Sequence, residues 1–264
     1  MTNFFDGPKP RLFGHRGASG EAPENTMAAF QRAVDLGVEY IELDVQAAED
    51  GQIMVIHDAT IERTTNGLGG VSEYSLAALQ QLDAGYRFSP DEGKTLPFRA
   101  SDVIIPSLRE VLSSFPNVKF TVENKQLEPP IEEQVIAVVR DCGKGDDVIL
   151  ASEHEAVLVR TRELAPVIPT NLGYNEVADF IQRVATDQLV GYEPPGQALQ
   201  IPPKYQDIPL VTEQTVAAAH QLGLEIHVWT INDPQEIGSL LDLGVDGVMS
   251  DFPGRLLEVV KKRG

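Results

Sequence analysis

The chain has 264 residues, of which 42% are hydrophobic, enough to bury the core of one large domain or two small ones. Its formal net charge of −19 argues against binding to nucleic acid or to an anionic membrane surface. No stretch approaches the roughly 18 apolar residues of a membrane span, and the chain begins without a signal-peptide pattern. We therefore expect a soluble, cytoplasmic protein without stable membrane insertion; its oligomeric state stays open.

Short strand-like runs alternate with amphipathic helical stretches along the chain. We predict strands at 11–14, 39–45, 118–123, 147–151, 167–170, 188–192, 225–231 and 245–249. We predict helices at 25–37, 107–115, 130–142, 154–164, 175–186, 212–222, 233–243 and 253–262. Thr212 and Asp233 stand where helix N-caps belong, and Pro234 follows Asp233 at the first helical position.

This alternation predicts the α/β class and, within it, a TIM (β/α)8 barrel. A doubly wound parallel sheet is the alternative, but the G-x-G-x-x-G turn expected after its first strand is missing. The connection between the second strand and the helix near Ser107 is too long for a bare loop. We expect a single barrel domain over residues 1–264 with a small insertion after the second strand, at about 60–105, including a short helix near 75–83.

Acidic side chains stand on the second and third predicted strands. Glu42 and Asp44 are two residues apart and so point to the same face, while Glu123 ends the third strand. In a TIM barrel these strand ends meet at the catalytic mouth, where three carboxylates could not all stay ionised without compensation. A hard divalent cation, Mg²⁺ or Ca²⁺, is the simplest compensation. The alternative is a set of salt bridges from Glu42 and Asp44 to Lys125 or Arg16.

Two histidines also follow strand-like runs. His15 and Arg16 close the first predicted strand, and His57 comes directly after an apolar run. Two imidazoles beside a metal-bound phosphate suit general acid–base catalysis, in which one activates the attacking oxygen and the other protonates the leaving alkoxide. Arg16 is suited to clamp phosphate oxygens, and we expect the backbone amides around Gly17 and Gly20 to donate to the same phosphate.

Several sequence blocks together resemble the glycerophosphodiester phosphodiesterases. The first is GHRGASGEAPENTMAAFQRAVDLGVEYIELDVQAAEDGQIMVIHD, followed by RTTNGLGGV and LDAG. Later blocks are IPSLREVL, VENK, HVWTIND and GVDGVMSDFP. The resemblance extends roughly from residue 11 to 257, and the family's fold implies a TIM barrel with an insertion after the second strand.

The resemblance also implies a reaction and its residues. These residues are the acid–base pair His15 and His57, the metal ligands Glu42, Asp44 and Glu123, the phosphate contacts Arg16 and Lys125, and Trp229 near the substrate's alcohol portion. The implied cofactor is one divalent cation, Mg²⁺ or Ca²⁺, with Mn²⁺ as a further candidate. The implied partner is a small-molecule glycerophosphodiester, hydrolysed to glycerol 3-phosphate and an alcohol.

Two other functions are compatible with these residues. One is a related barrel phospholipase or lyase, in which a substrate hydroxyl attacks phosphorus and leaves a cyclic phosphate. The other is a non-catalytic barrel that binds a phosphorylated metabolite. The sequence leaves open the leaving alcohol, the attacking group, the native metal and the roles of His154 and Glu193, whereas we expect His220 and His227 to be structural.

Overall fold

The computed structural model describes residues 4–263, in which most of the barrel strands are followed by a helix. The strands are β1 Arg11–His15, β2 Tyr40–Ala47, β3 Ile53–Val55, β4 Lys119–Asn124, β5 Val148–Ala151, β6 Ala198–Ile201, β7 Lys204–Tyr205, β8 Ile208–Pro209, β9 Glu225–Val228 and β10 Gly247–Ser250. The helices are α1 Met27–Leu36, α2 Leu76–Leu79, α3 Leu108–Ser114, α4 Glu132–Asp141, α5 Glu155–Leu164, α6 Tyr174–Ala185, α7 Glu213–Gln221, α8 Pro234–Asp242 and α9 Pro253–Arg263.

The parallel strands form a closed barrel. Their order is β5-β4-β2-β1-β10-β9-β6, with each strand hydrogen-bonded to its neighbours. Between the two ends of this order, Thr170 forms a parallel bridge to Leu150 of β5, and Asn171 forms one to Ala198 of β6. Residues 170 and 171 therefore take the place of the missing barrel strand. The predicted TIM barrel is confirmed.

The prediction of a strand at 188–192 is wrong. These residues form the loop after α6, where Val190 is fully exposed, and the next barrel strand is β6 instead. The sequence pattern does not predict β6 because Gln200 interrupts its apolar run. Inside the barrel the Gln200 amide donates to Thr121 Oγ1 at 3.1 Å and lies 3.3 Å from His227 Nδ1, so a polar residue is satisfied at an interior position.

The helices predicted to cover the barrel form, with ends displaced by no more than two residues. The helix predicted near 75–83 is shorter than expected, since α2 extends only over Leu76–Leu79. Thr212 and Asp233 cap α7 and α8 as predicted, and Pro234 begins α8. Apolar side chains on the inner faces of these helices pack against the outside of the strands, burying residues such as Phe30 and Phe180 completely. No helix among residues 4–263 is long and apolar enough to cross a membrane.

The segment between β2 and α3 folds back on the barrel. Strand β3 runs antiparallel to β2, with Val55 opposite Val45, and a short 3-10 turn and α2 follow it. Met54, Ile61 and Leu79 belong to a separate buried cluster in this segment. Because the hairpin reverses the chain, the residues after β3 return towards the barrel mouth.

A charged group is buried at the opposite, N-terminal end of the barrel. Arg11 is fully buried and donates from Nε and Nη2 to Glu225 at 2.7 and 2.8 Å, and from Nη1 to the Tyr40 hydroxyl at 2.7 Å. His227 lies 3.0 Å from Glu225, and His220 lies 2.9 Å from Asp246. Both histidines have carboxylate partners at the end of the barrel remote from the predicted catalytic mouth.

Candidate active site

The three predicted carboxylates meet at the carboxyl ends of adjacent strands. Glu42 and Asp44 project from β2 on the same face, and the register places Glu123 of β4 directly opposite Asp44. One oxygen from each of the three lies within 4.8 Å of the others. Glu42 and Asp44 are buried, and Glu123 is partly buried. This cluster of oxygen donors could hold a hard divalent cation.

The electrostatics of the cluster fit such a cation. Burial and the negative charge of Asp44 raise the pKa of Glu42 to about 8, and burial also raises the pKa of Glu123. Asp44 Oδ1 is buried without a hydrogen-bond partner. An orphaned buried carboxylate oxygen is costly, and a cation coordinated between these side chains would both satisfy it and offset the repulsion.

Two basic side chains accompany the carboxylates. Lys125 Nζ lies 2.7 Å from Glu123 and 3.6 Å from Asp44, and Arg16 Nε lies 3.0 Å from Asp44 Oδ2. Burial works against both charges, but these carboxylates outweigh it and raise the pKa of Lys125 and of Arg16. Of the salt bridges considered as the alternative to a metal, those from Asp44 to Arg16 and Lys125 are present, whereas Glu42 forms none with either side chain. Asp44 Oδ1 still has no hydrogen bond to any described residue.

His15, at the end of β1, is held by a carboxylate from the far end of the chain. Its Nδ1 lies 2.7 Å from Asp251, which also accepts hydrogen bonds from Ser19 Oγ and Asn232 Nδ2. Its Nε2 lies 3.8 Å from Glu42. Burial opposes the charged imidazole, but the bond to Asp251 and the charge of Glu42 raise the pKa of His15 above its usual value.

His57 has a matching arrangement. The Ile56 amide donates to the Asp44 carbonyl at 3.0 Å. His57 is the next residue, so its backbone lies close to that of the carboxylate cluster. His57 Nδ1 lies 2.6 Å from Asp58, and His57 shares a small crevice with Glu24. With the proton of each imidazole assigned to Nδ1, Asp251 and Asp58 accept it and leave both Nε2 atoms unprotonated.

Sequence reasoning missed the side chains that hold these histidines. Asp251 carries a recognisable signal because it directly follows the last barrel strand. A carboxylate at that position is as strong a candidate for the site as Glu123. Asp58 directly follows His57 in the chain. Glu24 and Arg63 carry no local signal, because their importance comes from contacts with each other across the boundary between the barrel and the segment after β2.

The glycines after β1 do not have the expected role. The Gly17 amide donates to the Gly14 carbonyl at 3.3 Å, and the Gly20 amide donates to the Asp251 carbonyl at 2.9 Å, so neither is available to a phosphate. A Cβ on Gly17 would lie 2.6 Å from the backbone of Ala29. These glycines permit close packing of the loop, and α1 begins only after the Thr26 cap.

The remaining candidates lie around the barrel. Trp229 follows β9 at the mouth, is 40% exposed, and donates from its backbone amide to Ile201 at 3.2 Å. His154 precedes α5 with its Nε2 3.8 Å from Glu153. Glu193 is exposed in the loop before β6. Among the described residues, neither His154 nor Glu193 forms a hydrogen bond or an ion pair with the carboxylate cluster or with the two site histidines.

The placement of two carboxylate-bonded histidines beside clustered acids and basic side chains suits attack on a phosphate ester, which is the chemistry of a TIM-barrel phosphodiesterase. The chain belongs to the glycerophosphoryl diester phosphodiesterase family, whose model matches residues 15–255.

Individual relatives agree with this membership. A glycerophosphodiester phosphodiesterase of Caldanaerobacter subterraneus subsp. tengcongensis is 33% identical over 97% of this chain and all of its own length. One of Bacillus subtilis is 32% identical over 94% of this chain and 85% of its own. An Oleispira antarctica phosphodiesterase, solved in complex with the product sn-glycerol-3-phosphate, has 26% identity and a TM-score of 0.74, covering 96% of this chain and 97% of its own.

Proposed function

We propose that this enzyme hydrolyses small glycerophosphodiesters to glycerol 3-phosphate and an alcohol, using His15 and His57 as the acid–base pair. The observation that carries the proposal is the matched pair of imidazoles, each bonded through Nδ1 to a carboxylate beside the same acidic cluster. The relatives named as glycerophosphodiester phosphodiesterases and the product bound to the Oleispira enzyme support the substrate class.

Each histidine is equipped to move one proton. A carboxylate on Nδ1 fixes the ring and stabilises the imidazolium, while Nε2 exchanges a proton with the reacting atoms. One imidazole takes a proton from the attacking oxygen, and the other gives a proton to the oxygen of the departing alcohol. The alkoxide then leaves as a neutral alcohol, and the phosphoryl group stays on glycerol.

Glu42, Asp44 and Glu123 would hold a single divalent cation, for which Mg²⁺ and Ca²⁺ are the main candidates and Mn²⁺ a further one. When bound, the cation supplies charge that stabilises the phosphate oxygens. Arg16 and Lys125 contact the remaining phosphate oxygens, since both already lie at the edge of the cluster. Trp229, exposed at the mouth, contacts the alcohol portion.

The test is turnover of a panel of glycerophosphodiesters, with and without EDTA and with each cation added back. Products are followed by ³¹P NMR, which separates glycerol 3-phosphate, a cyclic phosphate and a phosphorylated alcohol. We expect glycerol 3-phosphate to form only with a divalent cation. Cyclic phosphate as the end product would instead support the lyase, and absence of turnover with any cation would contradict the proposal.

The role of Trp229 is tested on the same panel. Replacing it with alanine removes an aromatic surface from the mouth, so we expect KM to rise several-fold for diesters with large alcohols and kcat to change little. An equal loss of kcat for every diester would contradict contact with the alcohol.

A further inference from the structure

Arg63 lies in the segment after β3, outside the barrel strands, yet it is bonded to the side chain that holds His57. Its Nε contacts Asp58 Oδ2, while Asp58 Oδ1 lies 2.6 Å from His57 Nδ1. Its Nη1 and Nη2 donate to the two oxygens of Glu24 at 2.7 and 2.8 Å. All three guanidinium nitrogens therefore have a carboxylate partner.

Glu24 connects Arg63 to the barrel side of the site. Glu24 Oε1 also accepts from Arg16 Nη1 at 2.9 Å, and Arg16 Nε lies 3.0 Å from Asp44. The backbone amide of Arg16 donates to Glu42 at 3.0 Å. An unbroken chain of opposite charges thus runs from the carboxylate cluster to His57, with Arg63 as the link that crosses from one part of the molecule to the other.

We propose that Arg63 is a positioning residue for His57, acting through Asp58, in the reaction proposed above. Asp58 adjoins His57 in sequence and is partly exposed, so by itself its carboxylate is free to turn towards solvent. The planar fork of Arg63, fixed at its other edge by both oxygens of Glu24, holds Asp58 on Nδ1.

The geometry argues against direct binding of phosphate by Arg63. Its bidentate pairing with Glu24 and its contact with Asp58 would have to break before its fork could face a substrate. These bonds also lower the pKa of Asp58 and of Glu24 despite the opposing effect of burial, so both partners are kept charged. Loss of Arg63 should therefore affect catalysis more than substrate binding.

The first test compares Arg63→Gln and Arg63→Lys with the control Arg109→Gln. Arg109 pairs with Asp141 at 2.7 Å between α3 and α4, so its loss also breaks an exposed ion pair, but one in the outer helix layer. We expect Arg63→Gln to lower kcat about tenfold to a hundredfold, with KM changed less than about threefold. Arg63→Lys should recover part of the loss, and the control should match the parent enzyme. A rise in KM at unchanged kcat, or unchanged kcat and KM, would overturn the proposal.

A double-mutant cycle separates positioning from general damage. If Arg63 acts through His57, Arg63→Gln should add less than about twofold to the loss already caused by His57→Ala. A full additional loss in that background would mean that Arg63 acts elsewhere. Melting temperatures of all variants exclude unfolding as the cause.

A readout without substrate keeps this inference distinct from the proposed function. The ¹⁵N spectrum of the histidine rings, assigned with His57→Ala, should show His57 protonated at Nδ1 at a pH where the ring is neutral. Arg63→Gln should move His57 towards a mixture of tautomers, and Arg109→Gln should not. An unchanged His57 signal in Arg63→Gln would refute positioning even if diesters are hydrolysed, whereas absence of turnover in the parent enzyme would refute only the proposed reaction.

Discussion

His15 and Asp251 lie 236 positions apart in the chain and 2.7 Å apart in the fold. The histidine was predictable, because it ends a strand beside an arginine and a glycine-rich turn. Its carboxylate partner follows the last barrel strand and so carries a local signal, but its pairing with His15 depends on how the first and last strands meet in the closed barrel, which no local pattern shows. Glu24 and Arg63 have no such signal, because their contact joins two loops.

Replacement of Asp251 by asparagine tests this pairing. The amide keeps the size of the side chain but removes the charge that stabilises a protonated His15, so we expect kcat to fall about tenfold or more with a smaller change in KM. Asp35→Asn, the same chemical change on the exposed surface of α1, is the control. Steady-state kinetics at saturating cation make the comparison, and equal rates for both variants would contradict the role of Asp251.

Glu225 provides a prediction about stability and pH. Burial alone would raise its pKa, but the hydrogen bonds from Arg11 and His227 outweigh it and lower the pKa well below the usual range. Because the folded-state value lies below the unfolded value of about 4.3, the stabilisation is present above about pH 4.3 and is lost as the pH falls towards the folded-state pKa. The acid side of the stability profile should therefore depend on Glu225.

The variant Glu225→Gln should destabilise the protein by about 3–5 kcal/mol at pH 7, because it leaves the fully buried Arg11 without its counter-charge. Urea unfolding at pH 7 and at pH 4 measures the effect, with Glu258→Gln on the exposed side of α9 as the control. The difference in free energy of unfolding between the two variants should be smaller at pH 4 than at pH 7. A difference that grows on acidification would contradict the lowered pKa of Glu225.

At the scale of elements, helices were predicted better than strands. Helix α8, for example, is predicted by the Asp233 cap, by a proline at its first position and by an apolar stripe. Strand β6 has no comparable sequence signal, because Gln200 faces polar partners inside the barrel and breaks the apolar run. The loop from β1 to α1 is predicted to be functional because of His15 and Arg16, but its glycines serve close packing of the loop.

The packing role of Gly17 can be tested against a glycine with the same kind of backbone. Gly17 and Gly51 both have positive φ, 83° and 75°, but a Cβ on Gly17 would meet Ala29 backbone at 2.6 Å while one on Gly51 would meet open space. Gly51→Ala should cost about 1–2 kcal/mol from the backbone alone. Gly17→Ala should cost clearly more, about 3 kcal/mol or above, by urea unfolding. Equal costs would mean that close packing is not what requires Gly17.

At the scale of the molecule, the barrel brings side chains from β1, β2 and β4 and from the loop after β3 to one mouth, while the buried charges around Arg11 occupy the other end. We propose that residues 1–264 form one domain with an insertion at about 60–105. Residues 1–3 and 264, at the ends of that range, lie outside the described residues. The alternation of strands and helices in the sequence is what predicts the barrel.

Binding of a divalent cation should stabilise the whole fold. At a concentration near a hundred times Kd, it contributes about 2.7 kcal/mol, which corresponds to a rise in Tm of roughly 5–10 °C for a chain of this size. We expect Mg²⁺, Ca²⁺ or Mn²⁺ to produce this rise in EDTA-treated protein, followed by differential scanning fluorimetry. Glu42→Gln should abolish it and Glu258→Gln should preserve it. The same rise in both variants would place the cation elsewhere.

The central claim, acid–base catalysis by two histidines, is tested most directly by the dependence of kcat on the leaving group. His15→Ala and His57→Ala are each assayed on glycerophosphodiesters with a choline and with a p-nitrophenol leaving group, since only an alkyl alkoxide needs a proton to depart. The account predicts that both variants lose about 10²–10⁴-fold on the choline diester and that one of them recovers on the aryl diester. Equal losses on both substrates for both histidines, or no loss in either variant, would contradict it.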